Sequence, residues 1–360
     1  MHNAAISRCK RYSYAYRSIK KAVDLLGGMG NFVKPRQRVL LKINQLNASD
    51  PKRAVTTHPQ IVAAVIRLVK EAGGIPVVGD SPITSTLSHV MKKTGIKEVL
   101  EKTDTEFVEF DKPKEYQLNG KILKDFQLTS QLDEFDVIIN LPKLKTHAFT
   151  TYSGAVKNLY GLVPGKLKAY QHVKIQQPCD FWDMLLDIYD FVKPRLTIMD
   201  GVIGMEGQGP NWGKPRHAGI IIAGTDSLAV DRIACSIIHL EPDLFKQAIA
   251  RGMSQANSDN LIVYGTKGLS IPFENPNLWQ NSKLICALQR FGTMFTSKPV
   301  INKDCTGCGE CQKVCPKNAI ALDKVARINY NLCIRCMCCN EACPHDAIKI
   351  SRNRLLGLLK

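Results

Sequence analysis

Eight of the thirteen cysteines of this 360-residue chain fall into two runs. Cys305, Cys308, Cys311 and Cys315 precede Pro316, and Cys333, Cys336, Cys339 and Cys343 precede Pro344. Both runs read C-x2-C-x2-C-x3-C-P, offset by 28 residues, and Ala319-Ile320 after the first matches Ala347-Ile348 after the second. Runs of thiolates at this spacing suit iron–sulfur cubes, each of which needs four sulfur ligands. Structural zinc would pair C-x2-C units instead of using four-cysteine runs that end in Cys-Pro. Disulfides conflict with a chain in which no export signal is visible.

The duplicated run resembles the bacterial two-cluster ferredoxins. That resemblance implies two [4Fe–4S] clusters with exchanged fourth ligands. Cys305, Cys308, Cys311 and Cys343 would hold one, and Cys333, Cys336, Cys339 and Cys315 the other. Gly307 and Gly309 would let backbone amides approach the cluster sulfurs. Cys338 breaks no rule and reads as a bystander. Cys9, Cys179, Cys235 and Cys286 are isolated and read as small buried apolar residues.

Charge is distributed unevenly. The chain carries 49 Lys and Arg against 32 Asp and Glu, a net charge of +17. Residues 137–179 hold six lysines and no acid, where the chain average would place about four acids. The first 38 residues and the last ten are also basic. Composition is otherwise that of a globular protein, 44% hydrophobic and 22% charged, which excludes wholesale disorder, collagen and a coiled-coil rod. The longest apolar runs are strand-sized, so no transmembrane segment is predicted. The tail 352–360 is basic and apolar and reads as a frayed or docked end, or as a weak membrane-surface contact.

The elements that must position this chemistry alternate. Strand-like runs lie at 39–43, 75–79, 107–110, 137–141, 196–199 and 219–223, and helical patterns at 18–26, 59–72, 181–192 and 227–239. The pattern predicts an α/β fold, a mostly parallel, Rossmann-like sheet covered by helices, over residues 1–290. A linker at 291–302 leads to a small α+β two-cluster ferredoxin domain at 303–351. Segment 116–128 reads as a hairpin with Asn119-Gly120 as its turn.

Ligands of such sheets collect beyond the carboxyl ends of the strands, and this chain puts polar clusters there. Lys42, Asn44 and Thr57 follow the first strand, and Asp80 and Ser81 follow the next. Lys143, Lys145 and His147 follow the strand at 137–141, and the acid-free stretch continues through Lys157, Asn158, Lys166 and His172. These groups donate hydrogen bonds or positive charge and suit an anionic ligand. Solvated lysines and structural histidines are the competing reading. Gly201, Gly204, Gly207 and Gly209 form either a ligand cradle or a tight turn. No G-x-G-x-x-G follows the first strand, so a nicotinamide fingerprint is not supported, and Gly161 to Lys166 misses the phosphate loop.

The segments VLLKIN at 39–44, NLPKLKTH at 140–147, SGAVKNLYGLVPG at 153–165, DGVIGMEGQGP at 200–210 and DSLAVD at 226–231 occur in that order. Together they resemble the domain-of-unknown-function 362 family, whose members often carry a C-terminal two-cluster ferredoxin module. The family's usual Lys-Pro-Asn is Lys42-Ile43-Asn44 here. The family implies an architecture and no established reaction.

Four functions compete. The first is a ferredoxin-linked oxidoreductase. In it Lys143, Lys145, His147, Lys157 and Lys166 neutralise a small anionic substrate or cofactor, and Asp80, Asp200 or Glu206 moves protons. The others are an electron-carrier subunit of a larger redox complex, a cluster or metal-cofactor delivery protein, and a nucleic-acid binder. The last is disfavoured because no recognition motif accompanies the charge. The expected partners are a redox protein, such as a ferredoxin, and a small anion. Oxygen-sensitive clusters and reduced cysteines predict a cytoplasmic protein.

Overall fold

A computed structural model describes residues 2–82, 87–175, 178–276 and 298–351. The amino-terminal half runs β1 (His2–Arg8), α1 (Ala15–Asp24), β2 (Arg38–Ile43), α2 (Pro59–Glu71), β3 (Ile75–Asp80), α3 (Leu87–Lys93), α4 (Ile96–Thr103) and β4 (Glu106–Glu109). Then come the hairpin strands β5 (Pro113–Gln117) and β6 (Asp125–Thr129), followed by β7 (Val137–Leu141), β8 (Lys143–His147) and β9 (Thr151–Ser153). The remainder of the large sheet region is α5 (Ala155–Asn158), α6 (Gly165–Lys174), α7 (Pro178–Val192), β10 (Leu196–Glu206), β11 (Lys214–Gly224), α8 (Ser227–Ile238), α9 (Asp243–Ala250) and β12 (Leu261–Gly265).

One ten-stranded sheet organises these elements, in the order β12-β1-β11-β10-β7-β2-β3-β4, with β8 and β9 branching from β10. The run β10-β7-β2-β3-β4 is parallel throughout, and β11 is antiparallel to both β10 and β1. Strand residues alternate between two cores, as a pleat requires. Val39, Leu41, Ile139 and Ile198 pack with α1, α2 and α4, while Leu40, Met199, Ile220 and Ile222 pack with α5, α7 and α8. Burial on both faces is why these strands read as continuous apolar runs.

The structure departs from the predicted elements in four places. Strands β1 and β12 are additional; they pair with each other in parallel and extend the sheet beyond β11. Residues 143–147 are a strand and not a loop, because Pro142 ends β7 and the chain re-pairs at once with β10 and β9. The hairpin β5–β6 is real, but residues 118–124 form a longer loop than a two-residue turn. Asp187 of α7 fixes that loop by accepting from the amides of Lys121, Ile122 and Leu123 at 2.8–2.9 Å. Finally, Gly201 and Gly204 lie inside β10; with Gly209 they mark close packing, and Gly207, at φ 74°, marks a turn. A Cβ at Gly204 would strike the Phe273 ring and the Leu144 carbonyl, and one at Gly209 the Thr146 carbonyl.

The carboxyl-terminal module contains β13 (Lys298–Ile301), α10 (Glu310–Lys313), β14 (Ile320–Leu322), β15 (Ala326–Ile328), α11 (Cys338–Ala342) and β16 (Ile348–Ser351). β13 pairs with β16 and β14 with β15, each antiparallel. The 28-residue duplication is visible in the backbone. Gly307 and Gly309 have φ of 70° and 79°, and their equivalents Arg335 and Met337 keep φ of 59° and 62° without being glycine. The expected linker falls largely on residues 277–297, and Cys286 and the tail 352–360 also lie outside the described residues.

Candidate functional site

The cysteines surround two small voids. Cys305, Cys308, Cys311 and Cys343 line one, with Gly307, Gly309 and Ala347. Cys315, Cys333, Cys336, Cys338 and Cys339 line the other, with Ile320, Ile328 and Met337. Among the described residues no three Cys, His, Asp or Glu side chains close on a single-ion site, so the thiols stand apart around space. At least four thiols around each small void fit an iron–sulfur cluster. Backbone amides already point at the sulfurs: Ala319 N donates to Cys315 Sγ at 3.2 Å, Ala347 N to Cys343 Sγ at 3.3 Å and Ala326 N to Cys305 Sγ at 3.4 Å. Such bonds tune reduction potential.

The module is seated on the large sheet by groups flanking the second run. Asn211 Nδ2 donates to the Glu341 carbonyl at 3.2 Å, and Trp212 Nε1 to the Asn340 carbonyl at 3.0 Å. The Arg53 guanidinium stacks on Trp212, 4.4 Å from its centroid. His147 Nε2 lies 3.4 Å from Glu341 Oε1.

Between module and sheet lies a cavity of about 540 Å³. Its floor is built at the carboxyl ends of β2 and β3 and from the stretch 153–168, and its ceiling from α10, α11 and Cys315. This is the crevice position expected for a sheet whose order reverses between β7, β2 and β3. The ceiling follows the duplication: Glu310 and Lys313 on α10 are the equivalents of Cys338 and Glu341 on α11, and all four face the cavity.

Four lysines reach it from the floor. Lys42 Nζ pairs with Asp80 Oδ1 at 2.9 Å, fully buried. Gly161 makes room for that pair, since an added Cβ would collide with both atoms. Asp80 also accepts from the Gln45 amide at 2.6 Å and the Ser81 amide at 2.7 Å. Lys145 Nζ donates to Asn44 Oδ1 at 2.9 Å and to the Val55 carbonyl at 2.7 Å. Asn44 Nδ2 in turn donates to Asn158 Oδ1 at 3.0 Å. Lys168 Nζ donates to the Ser81 carbonyl. Burial and the neighbouring Lys157 push the Lys145 ammonium down to about 7. Burial pushes Lys168 to about 7 as well, against the pull of Asp80. Lys157 is lowered by burial although Glu341 opposes it, and Glu341 is raised by burial.

Of the predicted site residues, Lys42, Asn44, Asp80, Ser81, Lys145, Lys157 and Asn158 line this one cavity. Strand alternation places Lys143, Lys145 and His147 in one row on β8, but only the middle one reaches the cavity. Lys143 is buried against Asp200 at 2.8 Å, and Tyr12 shares that contact. His147 supports Glu341 from behind. Thr57 is structural: its hydroxyl donates to the Leu141 carbonyl at 2.6 Å and accepts from Asn44 N at 2.8 Å. Glu206 lies elsewhere, accepting from the Glu274 amide at 3.0 Å. The side chains of Lys166 and His172 lie outside the described residues. Sequence reasoning missed Lys168, Gln45, Tyr160 and Glu341, and read Cys338 as a bystander although it faces the cavity. Cys9 and Cys235 are buried as expected, whereas Cys179 is exposed at the start of α7.

Fold and site together define an α/β protein carrying an iron–sulfur electron-transfer module. A model of the domain of unknown function (DUF362) matches residues 39–236, and a model of the 4Fe-4S dicluster domain matches residues 304–350. The chain belongs to the DUF362 family. It is 41% identical over 226 residues to a thylakoid-associated protein of Synechocystis sp., covering 62% of this chain and 70% of that one. A stretch of 37 residues is 43% identical to an uncharacterized protein of Methanocaldococcus jannaschii, 10% of this chain and 17% of that one. Among solved structures, the lactate racemase apoprotein of Thermoanaerobacterium thermosaccharolyticum aligns with a TM-score of 0.45 at 12% identity, over 66% of this chain and 56% of that one. Among the described residues no helix is long and apolar enough to cross a membrane.

Proposed function

We propose that this chain is an iron–sulfur oxidoreductase that receives electrons from a redox partner protein, a ferredoxin or similar carrier, and acts on a small anionic substrate or cofactor in the cavity. One observation carries this reading: Cys315 lines both the second cysteine-lined void and the cavity. In this reading Cys305, Cys308, Cys311 and Cys343 hold one [4Fe–4S] cluster, and Cys333, Cys336, Cys339 and Cys315 hold a second. Bound there, the clusters supply single electrons at the cavity wall. The exposed Cys308 marks the side facing the partner.

The chain's own residues supply the rest. Lys145, Lys157 and Lys168 neutralise the anion, and Asn44, Asn158 and Ser81 orient it. Lys145 and Lys168, with pKa near 7, are suited to hold or release a proton at Nζ. Lys143, Glu206 and Asp200 take no part in proton transfer. A pure carrier has no need of a lysine-lined cavity against a cluster ligand, which favours the enzyme over the carrier-subunit reading. Three described lysines of the acid-free stretch point inward: Lys143 and Lys145 are each 1% exposed and Lys168 is 6% exposed. A nucleic-acid face needs them outside. We place the protein in a reducing compartment such as the cytoplasm, in keeping with its free cysteines.

The test is anaerobic stopped-flow oxidation of the reduced full chain by organic acids bearing a reducible C=C or C=O bond. Oxidation by at least one acid, lost in Lys145→Gln while a cationic viologen still accepts electrons, supports the reading. A panel that accepts no electrons from the intact chain overturns it.

A further inference from the structure

Two of the three carboxylates at the cavity already have their own cation, and the third, Glu341, faces an imidazole whose Nδ1 accepts from a backbone amide. Asp80 pairs with Lys42 at 2.9 Å, Glu341 faces His147 at 3.4 Å, and Glu310 pairs with Lys313 at 2.8 Å. Three cations are left over. Among the described residues Lys145, Lys157 and Lys168 form no ion pair within 4 Å, and the partners named for Lys145 and Lys168 are neutral oxygens. Three ammonium groups against the single carboxylate of Glu341 around one enclosed space are costly unless a ligand supplies the remaining counter-charge.

The other walls are different in kind. Leu46, Tyr160, Val314 and Pro210 line the same space. A volume of about 540 Å³ suits a ligand of some tens of atoms and far exceeds one phosphate or sulfate.

Resting on the reading of this cavity as the substrate site, we infer that its ligand is an organic polyanion. It carries at least two negative charges on an apolar body, and it is not an inorganic oxyanion. The charges meet Lys145, Lys157 and Lys168, and the apolar body lies against Tyr160 and Val314. Carboxylate and phosphate esters share this chemistry and differ in geometry at the lysines.

The experiment is a charge ladder on the oxidised, iron-loaded full chain, read by calorimetry. The probes are trimesate against benzoate, citrate against acetate, glucose 1,6-bisphosphate against glucose 1-phosphate, and inorganic phosphate. Charged hydrogen bonds to two further lysines should make at least one polyanion roughly 100-fold tighter than its partner of lower charge. Lys157→Gln and Lys168→Gln should each lower that affinity about tenfold or more. Lys157→Arg should hold it within a few-fold and serves if the glutamine variant fails to fold. Which pair shows the gap separates carboxylates from phosphate esters. The inference is overturned if no polyanion outbinds its counterpart, or if inorganic phosphate binds tightest. No electron moves in this assay. A chain that binds the polyanion but never delivers electrons would therefore sink the oxidoreductase reading and leave this one standing.

Discussion

His147 Nε2 lies 3.4 Å from Glu341 Oε1, and this contact ties strand β8 to the helix inside the second cysteine run. His147 Nδ1 accepts from the Phe149 amide at 3.1 Å, which places the ring proton on Nε2, the nitrogen nearer the carboxylate. Both side chains are almost wholly buried, so the contact acts out of reach of solvent screening. His147→Ala would leave the Glu341 carboxylate short of a partner. The expected cost is about 1–3 kcal/mol of stability, with the module's amides exchanging faster. Hydrogen exchange on the anaerobic protein checks this; protection unchanged across 338–342 would contradict it.

Gly161 should be intolerant of any side chain. A Cβ there would part Lys42 from Asp80, and splitting a buried pair costs about 3 kcal/mol or more. Gly161→Ala should therefore lower the unfolding midpoint and weaken anion binding together. Gly165, where an added Cβ meets nothing within 4 Å, is the control position, although its φ of 27° adds some strain of its own.

Anion binding should draw protons from solution. The groups facing the cavity are Lys42, Lys145, Lys157, Lys168, Lys313, Asp80, Glu310, Glu341, Tyr160 and Cys338. Of these, Lys145 and Lys168 lie near pKa 7 in the empty cavity and rise when an anion arrives. Affinity is then greatest below pH 7 and declines as pH climbs above it. Calorimetry at pH 8 in buffers of different ionisation enthalpy should show net proton uptake, and zero uptake would count against these lysines. The same shift bears on stability. The unfolded chain holds both lysines protonated up to about pH 10.5, so the empty folded state is penalised as pH falls toward 7. A bound anion offsets that penalty.

Cysteine replacements should sort the ligand sets. Cys308→Ala and Cys339→Ala should each remove about half of the bound iron, from different clusters. Cys338→Ala should leave iron content unchanged, since Cys338 stands at the position that Glu310 fills in the first run. Iron and sulfide analysis with electron paramagnetic resonance distinguishes the variants. Iron loss in Cys338→Ala would assign that thiol to a cluster.

Much of this site is legible in the sequence. The acid-free stretch flagged a place where positive charge is collected, and three of the cavity's four floor lysines come from it: Lys145, Lys157 and Lys168. Lys143 and Lys145 could not be told apart, because a buried strand gives both the same face; only β10, which brings Asp200 to Lys143, separates them. The ceiling was readable in principle. The 28-residue offset equates Glu310 with Cys338 and Lys313 with Glu341, but which face the two helices present depends on how the module docks. Strands β1 and β12 escaped notice because their pairing is with segments more than 200 residues away.

The most direct test is a redox titration of the anaerobically purified chain, with and without the tightest-binding polyanion from the charge ladder. An anion held against the wall that contains Cys315 opposes the addition of an electron there. The expected result is two cluster signals, of which one moves to lower potential on binding while the other stays in place. Two potentials that do not move with the cavity filled would contradict the claim that cavity and cluster module form one redox unit.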